Sequence, residues 1–195
     1  MTPGEYQKLA RCTASDAALS DPNLGYVNWA LGLAGEAGEV LELLAPFNET
    51  GSTPHPTKTD TSIGIPKDKL IKELGDVMWY IALLCEQAGF DLDHIARIFS
   101  VNSARSIDSQ APQVSLVITA CKTADYIKKV VCHGHDLDKL TLQRLIWECY
   151  GHTLLCCHRS GVDLVDVMET NIAKLKARYP EGFSTEASIN RKENQ

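Results

Sequence analysis

The sequence predicts an all-α protein. Apolar residues recur at helical spacing along nearly the whole chain, and no alternating strand pattern of any length interrupts them. Clusters of Pro, Gly, Asp and Ser divide this pattern into long segments, as turns between helices do. With 195 residues, 44% of them apolar, the chain can bury a core as one ordinary domain or two very small ones.

The first half of the chain is expected to hold four helices. These are a short helix around Tyr6, Leu9 and Ala10, a second over 27–44, a third from Asp68, and a fourth from Asp91 to about Arg105. Residues 21–25 predict a turn before the second helix. Residues 45–66 are rich in Pro, Thr, Ser and Gly, so they predict a long exposed loop before the third. Asp91 is interpreted as the N-cap of the fourth helix.

The second half is expected to hold three further helices after a linker over 106–112. Their predicted ranges are 114–131, 137–159 and 162–177. Asp163 is interpreted as the N-cap of the last one. The residues after Phe183 are polar, and 185–195 are expected to form a flexible tail.

Two helix joints suggest an internal duplication. Gly89-Phe90-Asp91-Leu92 and Gly161-Val162-Asp163-Leu164 superpose with an offset of 72 residues. Before the long loop the best offset is about 86, so the first copy would contain a loop about 14 residues longer. We interpret residues 1–106 and 107–184 as a degenerate tandem repeat packed as one domain.

Charge and composition exclude several classes of partner. The chain has 19 basic and 25 acidic residues, a net charge of −6, which disfavours a nucleic acid polymer. No run of 18 apolar residues appears, so no membrane partner is expected. The N-terminus has no basic segment followed by an apolar one, which favours a cytoplasmic protein.

Seven cysteines permit an alternative reading as a zinc-stabilised helical protein. Cys149, His152 and Cys156 are spaced along one helix, with Cys132 and two histidines upstream. No CxxC occurs, and the spacings match no structural zinc pattern. Free thiols in a reducing compartment, used as small apolar side chains, are the simpler interpretation.

Two carboxylate pairs carry the clearest chemical signal. Glu36 and Glu39 lie three residues apart on the second helix, and Glu73 and Asp76 lie three apart on the third. Residues at this spacing share a helix face, and antiparallel neighbours can aim both pairs into one groove. Four carboxylates there need cations, and oxygen-only ligands suit Mg²⁺, with Mn²⁺ as a substitute.

The alternative interpretation is a solvated acidic face on a non-catalytic interaction or regulatory module. Four glycines within the two helices weigh against it, because each costs about 1 kcal/mol relative to Ala. They are Gly32, Gly35, Gly38 and Gly75. Close approach of a helix or a ligand would explain why they are present.

The two helices together resemble a known family. The segments GLAGEAGEVLELL and LIKELGDVMWYIALL are similar to the ExxE and ExxD helices of the MazG-like all-α nucleoside triphosphate pyrophosphohydrolases. The stretch from Asn171 to Phe183 resembles the family's closing helix, and Tyr6, Gln7 and Thr13 fit its first helix more loosely. The resemblance implies a four-helix-bundle fold and covers about residues 5–97 and 161–184.

The resemblance also implies an activity and a set of site residues. The activity is magnesium-dependent hydrolysis of a (deoxy)nucleoside triphosphate to the monophosphate and pyrophosphate, for nucleotide-pool control or housecleaning. Glu36, Glu39, Glu73 and Asp76 would be the catalytic metal ligands, and Glu39 a candidate proton acceptor. Lys174 and Arg178 would pair with phosphates, and Asn171 would bind a phosphate or the sugar. Independently of the resemblance, Trp29 and the Trp79-Tyr80 pair are candidates to stack on the base, with Trp29 and Tyr80 preferred, although core packing is the ordinary role of such aromatics.

One departure from the family is the 70 or so residues before the closing helix. A fused pseudo-dimer, similar to dUTPase or dCTPase relatives, would explain them. In it, Lys122 and Asp125 would replace the first acid pair, and Leu145 and Glu148 the second, so the second copy should hold no metal. If the middle is instead an insertion, partner subunits would have to complete the site. A homo-oligomer, which could be a dimer of pseudo-dimers, is expected.

Overall fold

A computed structural model describes residues 1–44, 66–98 and 111–190. These residues form α-helices joined by turns and contain no strand, which confirms the predicted all-α class. In chain order the helices are α1 (Pro3–Arg11), α2 (Asp16–Ser20), α3 (Pro22–Leu44), α4 (Lys67–Ala88), α5 (Leu92–Ile98), α6 (Pro112–His133), α7 (Lys139–Ser160), α8 (Leu164–Arg178) and α9 (Thr185–Ile189). None of the described helices is both long and apolar enough to cross a membrane.

Four long helices form the bundle. Helix α3 packs against α4 and α6, and α7 packs against the same two helices, so the four enclose one core. Apolar side chains from all four are almost fully buried there, among them Leu33, Met78, Leu116 and Ile146. Helices α1 and α8 pack on α4 and on each other. This places α8 beside the helix that carries Glu73 and Asp76.

Helix α3 is longer than predicted, and the turn expected over 21–25 is wrong for most of those residues. The helix begins at Pro22, since the fixed φ of proline suits a first helical turn. The Asp21 carboxylate accepts hydrogen bonds from the backbone N–H groups of Asn23 and Leu24, at 2.9 and 3.2 Å. Asp-Pro therefore starts a helix here.

Other boundaries differ in smaller ways. The five-residue helix α2 was not predicted. The fourth predicted helix, 91–105, corresponds to α5 as far as Ile98, and its remainder lies outside the described residues, as does the loop expected over 45–66 except for Pro66. Residues expected to belong to the flexible tail include the short, exposed helix α9, which Ser184 caps.

The two helix joints that share the 72-residue offset also share their geometry. Helix α7 begins and ends 72 residues after α4. Each helix ends at a glycine in the left-handed region, Gly89 at φ 73° and Gly161 at φ 62°, a conformation that favours glycine. Asp91 and Asp163 each accept a bond from the N–H two residues on, as predicted for N-caps. The tandem duplication itself stays a prediction.

Candidate active site

Three of the four predicted carboxylates meet between α3 and α4. Glu36, Glu73 and Asp76 each offer a carboxylate oxygen, and these oxygens lie within 4.8 Å of one another. All three side chains are half-buried. Glu39 is exposed on the next turn of α3 and does not belong to this group. The structure therefore brings three of the four acids together and leaves Glu39 outside the cluster.

The carboxylates perturb one another electrostatically. Burial raises the pKa of Glu36 to about 7, and the charges of Asp76, Glu39 and Glu73 add to the rise, while Lys174 opposes it. The pKa of Glu73 is also raised, by burial and then by Glu39 and Asp76. Negative charge is thus concentrated beyond what the nearby lysines neutralise, which is the condition that a bound cation relieves.

Asp76 is held from α8. The Lys174 ammonium lies 2.5 and 2.6 Å from the two carboxylate oxygens of Asp76. The Asn171 side-chain amide donates to Asp76 Oδ1 at 2.8 Å. Both α8 residues were predicted to contact substrate, and in this structure both bind a carboxylate instead. Their contact with phosphate or sugar stays a prediction.

Asn171 is itself fixed from α1. It is 1% exposed, and its Oδ1 accepts a hydrogen bond from the Tyr6 hydroxyl at 2.8 Å. Its Cβ lies so close to α4 that a Cβ at Gly75 would come within 2.8 Å of it. Gly75 therefore serves close helix approach, as predicted. Sequence reasoning missed this role for Tyr6, because its spacing with Ala10 indicates only a buried face.

A cavity of about 230 Å³ opens beside the carboxylates. It is lined by Thr13, Ser15, Asn28, Trp29, Glu36, Asp76, Trp79, Tyr80, Leu175, Arg178, Tyr179, Phe183 and Ser188. Predicted acids and predicted substrate-binding residues therefore share one space. Tyr179 and Phe183, which were noted only as part of the closing stretch, supply the wall at the end of α8.

Three aromatic side chains form one side of the cavity. The Trp29 and Trp79 rings meet edge to face at 5.6 Å, and Trp79 meets Tyr80 at 4.9 Å. The Trp79 N–H donates to the Thr13 hydroxyl at 2.9 Å. Trp29 is 1% exposed, and its N–H has no hydrogen-bond partner among the described residues. A buried N–H in that state is a donor available to a ligand.

The glycines of α3 divide into two kinds. A Cβ at Gly32 would come within 2.1 Å of the Tyr80 ring, so this glycine permits close packing of α3 on α4. A Cβ at Gly35 or Gly38 would meet nothing within 4 Å. These two leave open space on the helix that carries Glu36 and Glu39.

The second half of the bundle carries no equivalent cluster in its described residues. Asp125 is bound by Lys128 and Lys129, both at 2.7 Å, and Glu148 by Arg144 at 2.6 Å. Lys122, Asp125 and Leu145 instead line a larger, mostly apolar open groove. The only group of three or more potential metal ligands within the described ranges is the carboxylate cluster.

The cysteines give no support to the zinc alternative. All seven are free thiols. Cys149 and Cys157 are buried, and burial raises the pKa of each to about 12, so they remain protonated. Protonated thiols are poor metal ligands. Among the described residues, no cysteine or histidine joins a group of potential ligands.

Paired carboxylates presented by adjacent bundle helices, next to an aromatic cavity, define a class of all-α proteins with an acidic site. Within that class, residues 26–101 match the family model of the MazG nucleotide pyrophosphohydrolase domain, which confirms that this part of the chain is MazG-like. The matched part contains all four carboxylates and ends before α8. Searches of curated proteins and of solved structures returned no match.

Proposed function

We propose that the protein is a magnesium-dependent hydrolase that converts a nucleoside triphosphate to its monophosphate and pyrophosphate. The observation that carries the proposal is the convergence of Glu36, Glu73 and Asp76 within 4.8 Å beside an aromatic cavity. The family match supports hydrolysis of this bond type. Magnesium, rather than a softer metal, is proposed because every available donor is a carboxylate oxygen.

The donor set fits a divalent ion. Glu36, Glu73 and Asp76 would hold it, with Glu39 near enough to raise the pKa of both Glu36 and Glu73. The raised pKa of Glu36 indicates that the site gains from added positive charge. When bound, the ion supplies charge neutralisation for the phosphates and lowers the pKa of a water molecule.

The chain's own residues would position and deprotonate the water. Water attacks one of the two phosphorus atoms of the α–β phosphoanhydride, the bond from that phosphorus to the bridging oxygen breaks, and the departing phosphate group keeps the bond's electron pair. Glu39 is exposed one turn from Glu36 and is our candidate for accepting the proton of the attacking water. Phosphoryl transfer depends mainly on positioning and charge, which a rigid pair of helices can provide.

The nucleoside would occupy the aromatic cavity. Trp29 and Tyr80 provide ring surfaces, and Arg178 lines the same space with a permanent positive charge suited to phosphate oxygens. The unpartnered Trp29 N–H would donate to a carbonyl or hydroxyl of the nucleoside. This assignment accounts for a buried donor that nothing in the described structure satisfies.

The Trp29 assignment can be tested by Trp29→Phe, which keeps an aromatic ring and removes the donor. We expect KM to rise roughly 2- to 12-fold, the value of one hydrogen bond of about 0.5–1.5 kcal/mol. Trp29→Phe breaks no hydrogen bond within the described structure, because the Trp29 N–H has no partner there. Trp79→Phe, the matched control, breaks the bond to Thr13. An unchanged KM across all substrates would remove Trp29 from substrate recognition.

The proposed activity is tested with a panel of standard and modified ribo- and deoxynucleoside triphosphates, with Mg²⁺ or Mn²⁺ and pyrophosphate detection. We expect pyrophosphate release that chelation abolishes and that Glu39→Gln strongly reduces. Glu42→Gln, an exposed acid on the same helix, is the control. Absence of metal-dependent release from every substrate would contradict the proposal.

The biological context stays a prediction. A role in nucleotide-pool control or housecleaning, use of deoxynucleotides, a cytoplasmic location and a homo-oligomer follow from the resemblance and the composition alone. The base and sugar that the substrate panel shows to be preferred would distinguish nucleotide-pool control from housecleaning.

A further inference from the structure

The hydroxyl of Tyr6 lies inside the protein, and the Asn171 side chain connects it by hydrogen bonds to Asp76 of the carboxylate cluster. Tyr6 is fully buried, and its hydroxyl is 2.8 Å from Asn171 Oδ1 and 3.2 Å from the Gly75 carbonyl oxygen. A hydroxyl has one hydrogen, and the shorter contact is the stronger acceptor site. Tyr6 on α1 therefore bonds the side chain of α8 directly and the backbone of α4 more weakly.

This bond decides which end of the Asn171 amide faces the cluster. With Oδ1 accepting from Tyr6, the Asn171 NH₂ group donates to Asp76 Oδ1 at 2.8 Å. The flipped amide would set an oxygen against a carboxylate oxygen, which is repulsive. Burial and the charge of Asp76 raise the pKa of Tyr6 well above its usual range, so the phenol stays a donor.

The bonds also distinguish the two oxygens of Asp76. Oδ1 receives Asn171 as well as Lys174, whereas Oδ2 receives Lys174 alone. These three bonds fix the plane of the Asp76 carboxylate, and Oδ2 is the oxygen with fewer donors. Partners of this kind orient metal-binding side chains, and their removal typically weakens metal binding 10- to 100-fold.

We propose that Tyr6 is a positioning residue, which acts through Asn171 to fix the orientation of Asp76 as a ligand for a divalent ion. The inference rests on the proposed metal site. It extends that site to α1, a helix outside the residues that match the family model. Tyr6 does not line the cavity, and the shorter of its two hydrogen bonds is to Asn171, so its main effect on metal binding is expected to pass through Asn171.

The test is a double-mutant cycle read as the Mn²⁺ dissociation constant, measured by calorimetry without nucleotide. The variants are Tyr6→Phe, Asn171→Leu and the double variant. We expect Asn171→Leu to weaken binding roughly 10- to 100-fold and Tyr6→Phe roughly 3- to 10-fold. The double variant should be little weaker than Asn171→Leu alone, because the bond to Asn171 is the stronger of the two that the Tyr6 hydroxyl makes.

Tyr26→Phe is the matched control. Tyr26 is also a buried tyrosine on a helix of the same core, and its hydroxyl donates to the Gln87 carbonyl oxygen at 3.2 Å, away from the carboxylates. It should lose stability and keep its Mn²⁺ affinity. A general loosening of the fold would weaken Mn²⁺ binding in both tyrosine variants alike and overturn the inference.

The outcomes separate this inference from the proposed function. If the wild-type protein binds Mn²⁺ and Tyr6→Phe binds it equally well, the positioning role of Tyr6 is overturned and the metal site stands. If the wild-type protein binds no Mn²⁺, both are overturned. Should Tyr6→Phe not fold, the side-chain amide signal of Asn171 in the wild-type protein, assigned by its loss in Asn171→Leu, must shift when Mg²⁺ is added. An Asn171 amide signal that does not shift would overturn the positioning role of Tyr6.

Discussion

Substitution of Glu36 by Gln should stabilise the protein when no metal is bound. Burial and three neighbouring carboxylates raise the pKa of Glu36 from 4.5 to about 7. A raised pKa in the folded state means that folding favours the protonated form. The wild-type protein therefore loses stability as the pH rises from about 4.5 to about 7, and this loss is complete above pH 7.

The size of the effect follows from the same numbers. A rise in pKa from 4.5 to about 7 corresponds to roughly 3 kcal/mol if fully expressed. Glu36 is only partly buried, so solvent screening reduces the expected gain in Glu36→Gln to about 1–2 kcal/mol at pH 8. For a chain of this length, that gain raises Tm by about 2–8 °C. At pH 5 the Glu36 carboxyl is largely protonated in the folded protein, and the difference should be smaller than at pH 8.

The assay is thermal unfolding in a chelating buffer from pH 5 to pH 8. Glu42→Gln removes one exposed negative charge from the same helix and is the control for net charge. In excess Mg²⁺ the order should reverse, because the ion stabilises the wild-type protein more than the variant. A Glu36→Gln protein that is no more stable than the wild type at pH 8 would refute the electrostatic argument for the site.

Two further predictions concern the predicted repeat and the packing of α3 on α4. Asp76→Asn should lower the rate of pyrophosphate release roughly 100-fold or more, since it removes charge from a proposed metal ligand. Glu148→Gln, its counterpart under the 72-residue offset, should change that rate less than about threefold. Equal losses would contradict the predicted division of labour between the two halves. Gly32→Ala should lower the free energy of unfolding by about 1–2 kcal/mol through overpacking against the Tyr80 ring. Gly35→Ala, in open space, should raise it by up to about 1 kcal/mol, and urea titration distinguishes the two.

The helices of the bundle were readable from the sequence because their apolar spacing is regular over many turns. Helix boundaries were harder to predict where the same residues suit both a turn and the start of a helix. Asp-Pro at 21–22 is common in turns and equally suited to start a helix, and only the carboxylate bonds of Asp21 to the next turn decide between them. The short helix α2 has too few residues for a spacing pattern to show.

The acids of the site were predictable, but their arrangement was not. The three-residue spacing predicts a shared face, yet the helix phase leaves Glu39 on the exposed side while Glu36 turns inward. The contacts of Asn171 depend on how α8 crosses α4, which no local pattern encodes. Tyr6 was missed for the same reason, since its partner lies 165 positions along the chain.

Helix α8 contacts the two parts of the site at different points along its length. Asn171 and Lys174, in the middle of α8, bind Asp76. Arg178, in the last turn of α8, lines the cavity together with the adjoining Tyr179. A cation that enters beside Asp76 must compete with the Lys174 ammonium for the same two oxygens. Under the proposed function, the ion and the nucleotide would both contact α8, and thermodynamic reciprocity requires that each change the affinity of the other by the same factor.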